Sequence, residues 1–522
     1  MERGVSSSSR VRLDDILGTL SLAVDLGLGQ PMGHVARATV VAARLGDRVG
    51  MSASERTTLV HVALMGWVGC IADSRDAAAW FGDDIAYRAG VYDLDMAPLP
   101  FLGYLLRLAG TGDPVPRRAA KVAGVLVDRG RSVQKSLRAH CQVTSAVARR
   151  LGLTDEVCDA LGFIFARWDG KGLPEGAGGN SIPLPVRLWQ LADVAEVHHA
   201  RGGTPAVASV VRDRRGTAFD PELVDALLAY ADDVWSDLAP TDGWEVMVGL
   251  VPPTPLTQAR LDTALEAVAD WVDLKSPWFS GHSRAVADLA AGAARHLGWD
   301  DEEARFVRRA GLMHDLGRVG VPNSLWDRTA PLSDSDRERL RLHSYYTGRM
   351  LAHSPALSPW SDVASMAHER LDGSGYHRGL TAAALPMSAR LLAAADTFRT
   401  KTEPRPHRAA LSTGDAAAHL VEEAEAGRLD RRAVDAVLAA AGRHERRTPS
   451  VLPAGLTPRE AEVLALLARG ATNRQVASRL GISPKTAGNH VERIYAKAGV
   501  STRAAATLFA MEHLLVDPEQ LG

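Results

Sequence analysis

An internal duplication constrains this chain more than any other feature. Met65-Gly66-Trp67-Val68-Gly69 lies 248 residues before Met313-His314-Asp315-Leu316-Gly317, and Gly33-His34 lies 248 residues before Gly281-His282. A second block recurs at an offset of 203: His140 to His343, Arg167-x-Asp169-Gly170-x-Gly172 to Arg370-x-Asp372-Gly373-x-Gly375, and Asp193 to Asp396. Constant offsets over ungapped blocks mark a repeat. The change of offset from 248 to 203 gives the first copy about 45 extra residues between Cys70 and His140. The fold must therefore build one scaffold twice. The copies part company where chemistry is at stake. His314-Asp315 places an imidazole beside a carboxylate, whereas Gly66-Trp67 supplies neither.

Apolar residues recur at helical spacing almost throughout; between Ser283 and Leu297 the stripe is Val286, Leu289, Ala290, Ala293 and Leu297. Alternating β-branched runs are few, so a mainly α fold is expected. A chain of 522 residues exceeds one ordinary core. The expected domains are the first copy over 13–240, the second over 258–442 and a small C-terminal domain over 454–522. Pro240 to Thr257, with Pro252-Pro253-Thr254-Pro255, is expected to be a stiff connector. A polar one runs from Arg443 to Gly455 through Arg446, Arg447 and Pro449, and Met1 to Arg12 is expected to be a frayed tail. Cys70, Cys141 and Cys158 form no Cys-x-x-Cys pattern, which fits a reducing cytoplasm. No apolar run approaches the roughly 18 residues of a membrane span, so no membrane partner is expected. A net charge of −2 confines any nucleic-acid affinity to a local patch.

In the second copy His282, His314, Asp315, His343, His368 and Asp396 are candidate metal ligands. Imidazole with carboxylate suits Fe, Mn, Zn or Ni rather than Ca. Asp315 has two oxygens and can bridge two ions, and paired metals can clamp a phosphodiester. A lone histidine on an Ala/Leu helix is ordinarily a packing residue; six such groups in recognisable frames are not.

From about Lys275 to Arg408 the sequence resembles an HD-GYP domain, a branch of the HD phosphohydrolases. The matching text is Gly281-His282-Ser283-x-x-Val286-Ala287, Leu312 to Gly317, Val319-Gly320-Val321-Pro322, His343-x-x-x-x-Gly348, His368-Glu369-Arg370-x-Asp372-Gly373-x-Gly375-Tyr376, Asp396 and Arg405-Pro406-His407-Arg408. The resemblance implies a helical bundle that hydrolyses cyclic di-GMP or a related phosphodiester at a site of one or two divalent ions, Fe or Mn. It makes the six groups above ligands, with Asp315 bridging and catalytic. Arg318 takes the place of the family lysine as a catalytic cation, and Arg405 and Arg408 are candidates for the phosphate charge. Four positions depart from the family: Ala367 replaces an imidazole, Trp278 stands where three-metal members carry Glu, Arg318 replaces Lys, and His377 replaces Pro. A ligand-sensing domain without catalysis is the alternative.

The first copy aligns His34, Gly66, Trp67, His140, Phe165 and Asp193 with the six ligands. Half of the metal-binding groups are gone, so a structural or sensory half is expected.

Between Leu456 and Val516 eight Lys/Arg face four Glu. Thr457-Pro458-x-Glu460 is a helix start, Gly470 and Gly481 are stops, and Ser483-Pro484 opens a helix that Gly499 ends. Short helices joined by a tight turn, the later one basic, make a helix-turn-helix. Leu456-Thr457-Pro458-Arg459-Glu460, Gly470-x-x-Asn473, Leu480-Gly481-Ile482-Ser483, Thr486, His490-Val491, Ile494 and Lys497 resemble the LuxR-type domain. The resemblance implies binding to double-stranded DNA; with Gly488 and Glu492 on the third helix the affinity per monomer is expected to be modest, so binding as a homodimer is expected. Lys485, Thr486, Asn489 and Arg493 are then candidates for the groove, and Arg474 and Lys497 for phosphates. Gly488 stands where the family often has a basic residue.

Overall fold

The computed structural model describes residues 11–94, 98–128, 131–238, 243–443 and 452–516. Residues 1–10 of the expected N-terminal tail, Arg446, Arg447 and Pro449, and the last six residues lie outside them; Val11 and Arg12, expected to be frayed, instead pair with the Pro-rich segment, Val11 O accepting from Leu256 N–H at 2.9 Å. The described residues contain helices and isolated bridges, with no strand among them, as the periodicity predicts.

Two compact units divide between Leu261 and Asp262. In the first, α1 (Leu13–Gly27), α2 (His34–Arg48), α3 (Ala53–Met65), α4 (Arg131–Leu151) and α5 (Leu184–Asp213) form the scaffold, with α5 against α2 and α3. The Pro-rich connector belongs to this unit. Gly243–Val248 is a short helix packed on α2, and Leu13 N–H donates to Thr254 O at 2.9 Å. Proline stiffens the segment, but its backbone pairs with α1 instead of spanning open solvent.

The extra residues of the first copy form four helices, Ser74–Phe81, Asp84–Val91, Pro98–Leu108 and Val115–Asp128, with a small core of Phe101, Tyr104, Leu105, Ala109 and Val125. Buried Arg88 ties them to the scaffold through Cys70 O at 2.6 Å and Asp73 at 2.7 Å. Among the described residues one helical run, Ala53–Phe81, is long and apolar enough to cross a bilayer by length and composition; it breaks at Gly66-Trp67, and 67% of its apolar window is buried in the unit. A break and a buried face mark it as core packing.

In the second unit α6 (Gln258–Asp273), α7 (His282–His296), α8 (Asp301–Met313), α9 (Asp334–His353), α10 (Met387–Thr402) and α11 (Arg431–Arg443) repeat the scaffold. Helix α7 is central and packs on α8, α10 and α11. Helices α2 and α7 both begin after a left-handed glycine, Gly33 (φ 92°) and Gly281 (φ 78°), a conformation that costs a side chain about 1 kcal/mol or more. Behind each glycine a buried aspartate accepts from the new helix: Asp25 from Val35 N–H at 3.0 Å and Asp273 from Ser283 N–H at 2.9 Å. After the His-Asp position the chain passes tightly under the next helix. A Cβ on Gly317 would lie 1.9 Å from His343 O, and one on Gly69 2.2 Å from His140 O. The repeat is thus a repeat of backbone geometry.

The same unit holds α12 (Pro458–Ala468), α13 (Asn473–Leu480), α14 (Pro484–Ala498) and α15 (Arg503–Glu512). Thr457 and Glu460 form the predicted capping box on α12, and Thr472 with Gln475 caps α13 likewise. Gly481 (φ 65°) and Gly499 (φ 66°) end α13 and α14 in the left-handed region, where glycine is favoured.

Candidate metal centre and DNA-reading surface

Four helices and one loop bring the six candidate ligands of the second copy together. His282 begins α7, His314 and Asp315 end α8, His343 lies in α9, Asp396 in α10, and His368 in the loop after Ser358–Ser365. His282, His314 and Asp315 form one buried group able to hold an ion; Asp315, His343 and His368 form another, and Asp315 is common to both. His314 Nδ1 is tied to Gly311 O at 2.7 Å and His343 Nδ1 to Leu340 O at 2.6 Å, which turns both Nε2 atoms into the site. There the Nε2 atoms of His343 and His368 lie 3.0 Å apart, and His314 Nε2 lies 2.9 Å from Asp315 Oδ2. His282 Nε2, His314 Nε2 and both oxygens of Asp315 are buried and make no regular hydrogen bond; their near neighbours are the other candidate ligands and Arg318. Buried polar atoms are nearly always paired in proteins, and an imidazole–carboxylate set of this kind fits a transition-metal ion.

The electrostatics follow from the carboxylates at the centre of the site. Burial works to raise the Asp315 carboxyl, but Arg318 and His314 outweigh it and hold it well below the usual range. Asp396 is held low in the same way, against burial, by His368, His282 and His314. Burial, with His368 beside it, pushes His343 down to about 3. Burial also opposes a proton on His314, yet Asp315 pulls it up to about 10. The carboxylates carry charge that attracts cations, and His343 keeps its lone pair.

Arg318 pairs with Asp315 and lies 3.9 Å over the Phe279 ring, while its Nε and Nη1 are buried without a partner. The other two arginines depart from the expectation. Arg405 donates to Trp278 O at 2.6 Å and to Glu403 at 3.0 Å; Arg408 donates to Lys401 O at 3.2 Å and Glu403 O at 3.1 Å. Carbonyls left open at the end of α10 need donors, and Arg408 supplies them, while Arg405 is engaged by Trp278 and Glu403. His377 sets its ring edge-on to Tyr345 at 5.6 Å and joins neither ligand group. The sequence reading also missed Glu403, which lies 2.7 Å from His282 Nδ1. The acidic residue just ahead of Arg405 was the only signal.

In the first copy the same space is filled. Trp67 Nε1 donates to both oxygens of Asp193 at 3.1 Å, so an indole N–H satisfies the carboxylate. Phe165 and His140 keep the ring arrangement of His368 and His343: both pairs have centroids 4.8 Å apart, at 73° and 70°. Tyr92, contributed by the extra helices, brings its hydroxyl to 3.3 Å from His34 Nε2. A Cβ on Gly66 would lie 2.5 Å from the Trp189 ring, so the histidine of the motif cannot return there unless Trp189 moves. Each surviving polar group has an organic partner.

On the C-terminal domain Arg474, Lys485, Thr486, Asn489 and Arg493 are all exposed, four of them along α14. Thr486 also meets the capping hydroxyl of Ser483 at 2.8 Å. Lys497 departs from the set. Its ammonium bonds Glu460 at 2.7 Å and Gly455 O at 2.8 Å, because Glu460 is a buried carboxylate that needs a cation.

Comparison with known proteins agrees with the two kinds of domain. The HD domain family model matches residues 266–433, and that of bacterial regulatory proteins, luxR family, matches 454–510. The chain carries an HD domain and a LuxR-type DNA-binding domain. A 3'3'-cGAMP-specific phosphodiesterase 3 of Vibrio cholerae is 28% identical over 420 residues, 79% of this chain and 90% of that protein. A crystal structure of a V. cholerae cyclic GMP-AMP specific phosphodiesterase has a TM-score of 0.60 at 26% identity, covering 84% of this chain and 99% of the other. Both alignments exceed the length of either copy, so the likeness takes in the altered first copy of the HD domain as well. A cyclic di-GMP phosphodiesterase response regulator of Xanthomonas campestris is 30% identical over 35% of this chain and 48% of its own length.

Proposed function

We propose that this chain is a transcription regulator whose second HD copy binds one or two divalent ions, Fe or Mn, and hydrolyses a cyclic dinucleotide. The observation that carries this reading is the set of buried ligand atoms on His282, His314 and Asp315, whose neighbours are Arg318 and the other candidate ligands His343, His368 and Asp396. A bound ion supplies a more acidic water and neutralises phosphate charge. The chain's own groups do the rest. Asp315 serves both halves of the site, Phe279 holds Arg318 in a plane, and the two free nitrogens of Arg318 are donors for a phosphate oxygen. The cGAMP and cyclic di-GMP phosphodiesterases among its relatives support cyclic dinucleotides as the substrate class. The copy with Trp67 and Phe165 is a structural half, and the LuxR-type domain binds DNA as a dimer in a cytoplasmic setting.

One observation favours the sensing alternative: Ala367, fully buried beside His368, contributes no second imidazole. The assay separates the two. Manganese- or iron-loaded protein is expected to cleave 3'3'-cGAMP or cyclic di-GMP, and Asp315→Ala to lose roughly 10³-fold in rate. Loaded wild-type protein that binds either dinucleotide but leaves it intact establishes sensing. Turnover unchanged in Asp315→Ala defeats the site assignment.

A further inference from the structure

Both copies hold the first histidine of the motif with a buried glutamate, yet they draw it from different positions. In the first copy His34 Nδ1 pairs with Glu196, three residues after Asp193 on α5, and Arg37 grips the same carboxylate at 2.6 Å. The offset of 203 that carries Asp193 to Asp396 carries Glu196 to Arg399. The second copy therefore has a guanidinium where the first has its carboxylate. Its own carboxylate comes from Glu403, one helical turn later, where α10 ends and the backbone becomes extended (φ −104°, ψ 144°). Glu403 is 6% exposed and lies 2.7 Å from His282 Nδ1. Arg405 fixes it from the other side at 3.0 Å and joins it to Trp278 O, in the loop that leads into His282.

We infer that Glu403 is the positioning residue for His282, the counterpart of Glu196 drawn from a different turn of the helix. Accepting Nδ1–H fixes the tautomer, aims the Nε2 lone pair toward Asp315 and Asp396 (3.5 and 3.3 Å away), and strengthens it as a donor. In the first copy, where Trp67 and Tyr92 occupy the site, the pair holds the His34 ring in place; in the second the same pairing turns His282 Nε2 toward Asp315 and Asp396. A positioning carboxylate has to meet Nδ1, from wherever the backbone allows. The two copies show two such origins.

The inference rests on the metal-site reading above, and the test separates them. In the full-length protein, Glu403→Ala, Glu403→Gln and the double variant Arg399→Glu/Glu403→Ala are compared for Mn²⁺ affinity by calorimetry and for bound metal by elemental analysis. Melting in EDTA reports folding. Glu403→Ala is expected to bind Mn²⁺ about 10–100-fold more weakly, Glu403→Gln to fall between it and wild type, and the double variant to recover to within a few fold. Wild-type affinity in Glu403→Ala, or a folded double variant no tighter than the single, overturns the inference. If Glu403→Ala does not fold, Glu403→Gln decides, and wild-type affinity there overturns it equally. Wild-type protein that takes up no manganese overturns the metal-site reading itself.

Discussion

Lys497 shows how one contact reassigns a residue. A basic residue near the end of a recognition helix is expected to sit on a phosphate, but this ammonium completes the capping box of Thr457 and Glu460. Burial works to raise the Glu460 carboxyl; the hydrogen bonds from Lys497 and Thr457 overcome it and bring it from 4.5 to about 2. A carboxyl that is more acidic when folded stabilises the fold fully above its unfolded value near 4.5, and that contribution disappears as pH falls toward 2. Lys497→Ala is therefore expected to cost the domain roughly 1 kcal/mol at neutral pH, seen as faster hydrogen exchange over residues 458–498, with the difference fading below pH 4. The salt slope of DNA binding should stay as in wild type, whereas loss of a phosphate contact would reduce it by about 1. At this scale the sequence was legible where chemistry is intrinsic to the side chain. His282, His314, Asp315, His343, His368 and Asp396 all converge. It was not legible where a cation can choose among acceptors: Arg405, Arg408 and Lys497 all turned to carbonyls and carboxylates of their own domain.

Helix ends were readable for a related reason. Thr457, Thr472 and Ser483 cap α12, α13 and α14 as their spacing from Glu460, Gln475 and Thr486 requires, since a capping bond closes within three residues. The extra helices of the first copy were not readable as a plug, because the meeting of Tyr92 with His34 depends on chain 58 residues away. Helix α14 also carries a weakness that its own structure can repair. Gly488 sits within it, and a Cβ there would meet only Asn473 Nδ2, at 3.8 Å. Gly488→Lys should relieve about 1 kcal/mol of helix cost and add a cation beside Lys485, Asn489 and Glu492. The expected outcome is a higher melting temperature and DNA binding several-fold tighter at low salt, with a steeper salt slope by titration. An unchanged slope would place that face of α14 away from the phosphates.

At the scale of the second unit, one short segment serves the metal centre and the DNA reader at once. Trp278 O receives Arg405, which holds Glu403; the Phe279 ring supports Arg318, which pairs with Asp315; and Ser280 Oγ donates to Ala468 O at 2.9 Å, at the end of α12. His282 follows after Gly281, whose added Cβ would be 3.9 Å from Val516. The candidate DNA contacts Lys485, Thr486, Asn489 and Arg493 of α14 stay exposed in this arrangement, so contact with the HD domain does not cover them. Whatever shifts His282 and Arg318 on loading the site therefore pulls on a segment that is bonded to α12. Coupling between sites is a difference in binding free energy and must run both ways. Manganese is accordingly expected to change DNA affinity by a measurable factor, on the order of 5-fold, and DNA to change manganese affinity by the same factor. Ser280→Ala removes the bond to Ala468 without touching a candidate ligand. It should bring the DNA affinities of the EDTA-treated and manganese-loaded proteins together while leaving manganese uptake without DNA at the wild-type level. Fluorescence anisotropy with a labelled duplex measures the first quantity, and elemental analysis the second. If Ser280→Ala leaves a metal-dependent difference in DNA affinity as large as in wild type, the signal travels by another route.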